Sequence, residues 1–216
     1  MDQTFRKVKP QYTLLSLGDS YTIGEGVLPG KNFPNQTVRL LRGSGLRFQH
    51  AKVIAKTGWT ASELLAATDI AAISDHYDFI TLLIGVNDQY RGGTVETYEP
   101  VCRALLEKAL HFCGGMPNHV IVISIPDWSK TPFAAASGRD QKQISNEIEA
   151  YNKSNRRIAN EYAVKYADIT NGSNEAAGNR DLLAQDGLHP SEKEYAKWAA
   201  AIAQMINATL VTESKQ

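Results

Sequence analysis

Of the five histidines in the chain (His50, His76, His111, His119 and His189), only His189 has an acid three residues before it, in Asp186-Gly187-Leu188-His189. A histidine whose one ring nitrogen is held by a carboxylate can use the other as a general base. The base needs something to activate, and Gly18-Asp19-Ser20-Tyr21 offers a serine hydroxyl. Such a hydroxyl is a poor nucleophile at neutral pH, so acyl transfer through it requires a base, a group that orients the base, and hydrogen-bond donors for the oxyanion. Asn87, in Gly85-Val86-Asn87-Asp88, supplies a neutral amide donor. Gly58, in Thr57-Gly58-Trp59, supplies a backbone N–H with no side chain in front of it, and the N–H of Ser20 itself is a third donor.

Each of these residues also has an ordinary structural use. Serine caps helices after strands, and an aspartate such as Asp19 braces a turn through bonds to nearby amides, the role assigned to it here. Gly58 suits a positive φ and Gly85 suits close packing. Trp59, Tyr90, Trp128 and Phe133 are candidates to line an acyl or sugar pocket, although aromatic residues in such loops serve packing as often as recognition.

The elements that must bring these residues together are legible as alternating patterns. Short apolar, β-branched runs at Tyr12–Leu17, Ala51–Ala55, Phe79–Ile84 and His119–Ile125 read as strands, with a weaker fifth near Asp168–Thr170. Helical patterns lie between and after them, at Asn32–Arg42, Thr60–Ile73, Tyr98–Phe112, Asn146–Tyr166 and Ser191–Leu210. Thr60-Ala-Ser-Glu63 and Ser191-Glu-Lys-Glu194 match the capping box that opens a helix. Lys130–Gly138 reads as a long mobile loop. Runs as uniformly apolar as Ile80–Ile84 and Val120–Ser124 suit strands buried on both faces. The expected fold is therefore α/β, a three-layer α/β/α sandwich around a parallel sheet of about five strands in one domain, residues 1–216. With strand order 2-1-3-4-5, the loops carrying Ser20, Gly58 and Asn87 meet at the carboxyl edge of the sheet, where ligands of such folds bind.

Gly18-Asp19-Ser20, Gly58, Gly85-Val86-Asn87-Asp88 and Asp186-Gly-Leu-His189 resemble, in order, the four sequence blocks of the SGNH (GDSL-type) hydrolases. The resemblance spans nearly the whole chain and implies a flavodoxin-like fold and ester hydrolysis without metal or cofactor. It further implies Ser20 as nucleophile, His189 as base and Asp186 as its partner, with Ser20, Gly58 and Asn87 forming the oxyanion hole. Tyr21 stands where the family signature has leucine, which alters what packs beside the nucleophile.

Composition narrows the remaining choices. Lys plus Arg and Asp plus Glu balance at 23 each, which argues against nucleic acid or an anionic membrane as main partner. No run is apolar enough to span a bilayer, and the polar opening Met1–Gln11 reads as cytoplasmic. Cys102 and Cys113 fall in one helical stretch and its end, and read as reduced and structural. No Cys or His cluster has metal-ligand spacing. The glycine-rich stretch Gly24–Lys31 fails as a phosphate loop, because Glu25 replaces the first glycine and Asn32 the magnesium-binding hydroxyl. No serine has the Gly-x-Ser-x-Gly spacing of the other large serine-hydrolase fold. The expected substrate is a small soluble ester or an acylated carbohydrate. A thioesterase or acyltransferase would use the same residues, and a non-catalytic ligand-binding protein of the same fold is the alternative from another class.

Overall fold

The computed structural model describes residues 11–71, 73 and 76–215. Most of the opening segment Met1–Gln11, and Ala72 within the expected helix Thr60–Ile73, lie outside the described residues. In chain order the elements begin β1 (Leu14–Gly18), α1 (Ser20–Ile23), α2 (Phe33–Gly43), β2 (Lys52–Ala55), α3 (Ala61–Ile70), β3 (Phe79–Leu83) and α4 (Val86–Tyr90). They continue α5 (Val95–Phe112), β4 (Val120–Ile123), α6 (Pro132–Ala136), α7 (Gln141–Glu161), β5 (Lys165–Ala167), α8 (Thr170–Gly178) and α9 (Glu192–Glu213).

The five strands form one sheet in the order β2-β1-β3-β4-β5, every pair parallel. Helices α2 and α9 pack on each other in one layer, and α3, α5 and α7 pack side by side in another. This is the three-layer α/β/α arrangement expected from the strand–helix alternation. Strands β1 and β3 are buried along their whole length, as their largely apolar composition demands. Their two polar interior residues, Ser16 and Thr81, face each other in register, and the Thr81 hydroxyl donates to Ser16 Oγ at 2.8 Å. A buried hydroxyl pair satisfied in this way avoids the desolvation cost that an unpaired one carries.

The structure corrects three expectations about elements. Lys130–Gly138 is no loop throughout: Thr131 caps α6 by accepting from the Ala134 N–H, and Pro132 occupies the first helical turn, where its missing N–H costs nothing. The helix expected over Asn146–Tyr166 runs instead from Gln141 to Glu161, opened by Asp140 accepting from the N–H groups of Lys142 and Gln143. It ends because Ala163 turns into the left-handed region at φ 55° and the Val164 N–H returns to Ala159 O at 2.9 Å. No glycine marks that stop, so the helical pattern of the sequence runs on into what is β5. The fifth strand accordingly lies at Lys165–Ala167 rather than near Asp168–Thr170, where α8 begins.

Two helices open earlier or differently than their patterns suggest. α5 starts at Val95, not Tyr98, through a reciprocal pair of bonds between Thr94 and Thr97, and it accommodates Pro100 in its interior. The Thr60–Glu63 capping box forms completely. That at Ser191 forms only by half: the hydroxyl accepts from the Glu194 N–H, while the Glu194 carboxylate turns to Trp198 Nε1 and Lys197.

Candidate active site

The N-terminal end of α1 fixes Ser20. Gly18 closes β1 where a Cβ would lie 2.1 Å from Thr22 Oγ1 and 2.5 Å from Leu83 O, so only glycine lets the chain turn here against β3. Asp19 caps the short helix, its Oδ1 accepting the Tyr21 N–H at 3.0 Å. Ser20 is then the first helical residue, with its N–H outside the intrahelical bonding. Asp19 is fully buried, and its Oδ2 meets no partner among the described residues. Burial pushes its carboxyl up to about 7, against the Tyr21 N–H and with help from the nearby Asp88 carboxylate.

The turn before α9 fixes the histidine. Gly187 adopts φ 67°, folding Asp186 back so that its Oδ1 accepts the N–H groups of Leu188 and His189 at 2.9 and 3.0 Å. Its Oδ2 lies 2.6 Å from His189 Nδ1, and His189 Nε2 lies 2.9 Å from Ser20 Oγ, 169 residues away in sequence. An ionised carboxylate can only accept, so Nδ1 carries the proton and Nε2 presents its lone pair to the serine hydroxyl. Burial raises the Asp186 carboxyl, but the bonds from His189 and from the Leu188 and His189 N–H groups outweigh it and hold the group below its ordinary value. Tyr21 fills the space beside His189, its ring 5.3 Å from that of His189 and 6.3 Å from Trp198.

The other two loops converge on the same point. Gly58 adopts φ 83°, and its N–H, like that of Ser20, donates to no acceptor among the described residues. Asn87 lies in the first turn of α4, and Nδ2 donates to Trp59 O at 3.0 Å. That bond uses one of its two amide hydrogens and fixes the orientation of the other.

A cavity of about 200 Å³ opens beside Ser20. Ser20, Gly58, Asn87 and His189 form its polar side, and Val86, Tyr90, Trp128, Phe133 and Leu188 form its apolar wall, with Tyr21 and Thr57 completing it. Of the four aromatic candidates, Tyr90, Trp128 and Phe133 therefore line the cavity and pack on one another at centroid separations of 5.5 to 6.4 Å. Trp59 does not line it; its ring packs against the core and only its carbonyl reaches the site, as acceptor for Asn87. Thr57, Val86 and Leu188 were not singled out, although each adjoins a motif residue that was. Trp128 is held by its indole N–H donating to Gln89 Oε1 at 2.9 Å, and Gln89 in turn donates to Glu147.

Among the described residues no group of His, Cys, Asp or Glu is arranged to hold a metal ion, and no helix is long and apolar enough to cross a membrane.

The model of the GDSL-like Lipase/Acylhydrolase family matches residues 16–197. The chain belongs to this family. It is therefore a hydrolytic enzyme acting on ester bonds, and all four motifs lie within the matched span. No curated protein sequence matches this acylhydrolase. Its fold does recur in solved structures. The acetylxylan esterase Axe2 from Geobacillus stearothermophilus is 22% identical, with a TM-score of 0.70 over 90% of this chain and 94% of that one. The psychrotrophic esterase EstA from Pseudoalteromonas sp. is 16% identical, with a TM-score of 0.71 over 92% of this chain and 98% of that one. A lipase/acylhydrolase from Enterococcus faecalis is 22% identical, with a TM-score of 0.67 over 92% and 96% of the two chains.

Proposed function

We propose that this acylhydrolase cleaves carboxylic esters through an acyl-enzyme on Ser20. The observation that carries the reading is the continuous contact from Asp186 Oδ2 through both ring nitrogens of His189 to Ser20 Oγ, at 2.6 and 2.9 Å. In the first half-reaction Ser20 Oγ attacks the ester carbonyl while its proton passes to His189 Nε2, leaving a tetrahedral oxyanion. The N–H groups of Ser20 and Gly58 and the free amide hydrogen of Asn87 receive that oxyanion. Collapse expels the alcohol, which takes the proton from His189. Water then repeats the sequence: its proton goes to His189, its oxygen attacks the acyl carbon, and the acid leaves as Ser20 Oγ recovers the proton. Asp186 keeps the imidazole in the required tautomer and stabilises its charged form.

The cavity supports a reading of the substrate class. A volume of about 200 Å³ lies below the roughly 300–1,000 Å³ of sites that enclose drug-sized ligands. The wall of Tyr90, Trp128 and Phe133 suits a short acyl group, with the alcohol portion outside. Small soluble esters and acylated carbohydrates fit this description, and the acetylxylan esterase with the same fold lends the second class support. Thioesters and acyl transfer to an alcohol need the same residues.

Hydrolysis of acetyl, butyryl and octanoyl nitrophenyl esters, with fluorophosphonate labelling followed by mass spectrometry, tests both parts. Turnover that falls with chain length, absence of turnover in Ser20→Ala and a label on Ser20 are the expected results. A folded wild type that neither turns over nor labels would leave a non-catalytic ligand-binding protein as the better account.

A further inference from the structure

Gly58 sits in a left-handed conformation, φ 83°, in the loop between β2 and α3, and nothing in its own side chain can hold the N–H in place. The partner of its carbonyl comes from the end of α4. Arg91, the residue that closes α4, donates from Nη2 to Gly58 O at 2.6 Å. Its Nη1 lies 3.3 Å from Glu63 Oε2, and the Glu63 carboxylate accepts the Thr60 N–H at 2.8 Å, which anchors it to the start of α3. The backbone N–H of Arg91 meanwhile donates to Asn87 O at 3.1 Å. One residue thus touches both oxyanion elements, Asn87 through its main chain and Gly58 through its side chain.

Two further bonds join the same pair of segments: Asn87 Nδ2 to Trp59 O at 3.0 Å, and the Ala61 N–H to Asp88 Oδ2 at 2.9 Å. These set the distance between the loop and α4. The Arg91 bond has a different geometric effect, because it acts on the carbonyl of Gly58 itself and so limits rotation of a residue that lines the cavity. The ion pair with Glu63 cannot be the reason for the arrangement in stability terms. The two side chains are 53% and 44% exposed, and such pairs contribute about 0–1 kcal/mol.

The geometry points to Arg91 as a positioning residue that holds the Gly58 N–H on the oxyanion, without touching substrate. The inference rests on the oxyanion reading above. It implies a loss in the chemical steps and not in ground-state binding, since acylation and deacylation both pass through an oxyanion and the bound ester makes little use of that N–H.

Steady-state kinetics on nitrophenyl acetate, for wild type, Arg91→Ala and Arg91→Lys, test it. Arg91→Ala is expected to lower kcat about tenfold, a fraction of the hundredfold or more that outright loss of an oxyanion donor costs, with KM changed less than twofold. Arg91→Lys, which restores a single donor to the carbonyl, is expected to recover much of the loss. The thermal midpoint of both variants should stay within a few degrees of wild type, so that the kinetic loss is not a loss of folded protein. An Arg91→Ala enzyme with unchanged kcat, or one whose loss lies wholly in KM, overturns the inference. So does a fall in kcat that tracks the folded fraction measured by circular dichroism. If wild type hydrolyses the ester and labels on Ser20 while Arg91→Ala keeps its kcat, the positioning role alone fails; if wild type does neither, the catalytic reading fails and takes this inference with it.

Discussion

Ser20 and His189 meet at hydrogen-bond distance, and in the proposed mechanism each depends on the other. Ser20→Ala and His189→Ala are therefore each expected to remove nearly all turnover, with the double variant little worse than either single one, because residues that act as a unit lose their effect together. Losses that multiply would count against the pair; kcat/KM of the three variants decides it. Asp19 makes a prediction of another kind. Its carboxyl is raised from 3.8 to about 7 in the folded protein, so folding takes up a proton between those two pH values. Stability from this group is then fully present below about pH 4 and is lost as pH rises toward 7. Asp19→Asn keeps an acceptor for the Tyr21 N–H and has no charge to bury, so its urea midpoint should exceed that of wild type at about pH 8 and lose that advantage at about pH 4. Parallel pH profiles for the two proteins would show that Asp19 is not the source of the slope.

At the scale of elements, the site depends on how strands end. β1, β2 and β3 deliver Ser20, Gly58 and Asn87 because each strand is followed by a turn that only certain residues permit. At Gly18 there is no room for a side chain, and at Gly58 the backbone is left-handed. The end of α7 lacks such a signal. Ala163 takes φ 55° there, a conformation that costs a residue with a Cβ about 1–2 kcal/mol. Ala163→Gly relieves that cost against a greater loss of chain entropy, and a net gain of up to about 1 kcal/mol is expected from urea denaturation. A destabilised Gly variant would mean that the alanine methyl contributes packing that outweighs the strain. The same residue explains why the boundary between α7 and β5 is not legible in the sequence: an alanine at a helix stop looks like more helix.

At the scale of the whole molecule, the cavity and its bonds stand on a sheet whose central strands carry no solvent-facing surface. Leu82 in β3 is 1% exposed and lies in register with Leu17 of β1 and Val122 of β4. Leu82→Ala should cost about 2–5 kcal/mol of stability, as buried leucine truncations do, and a loss under 1 kcal/mol in chemical denaturation would show that the sheet can collapse around the gap. The strand pattern, the parallel sheet and the four motifs were legible in the sequence because they rest on local facts: apolar runs, capping residues and a carboxylate three residues before a histidine. That locality also let Asp186 and His189 be paired, since both lie in one turn. Tertiary structure alone decided the rest. The polar opening at Thr131-Pro132 became α6, which brings Phe133 to the cavity while Trp59 turns its ring to the core. Arg91 joined Gly58 across 33 residues, and Gln89 joined Trp128 across 39. Contacts of this kind leave no periodicity or spacing in a single chain, because each depends on where the packed sheet carries two segments that are unrelated in sequence.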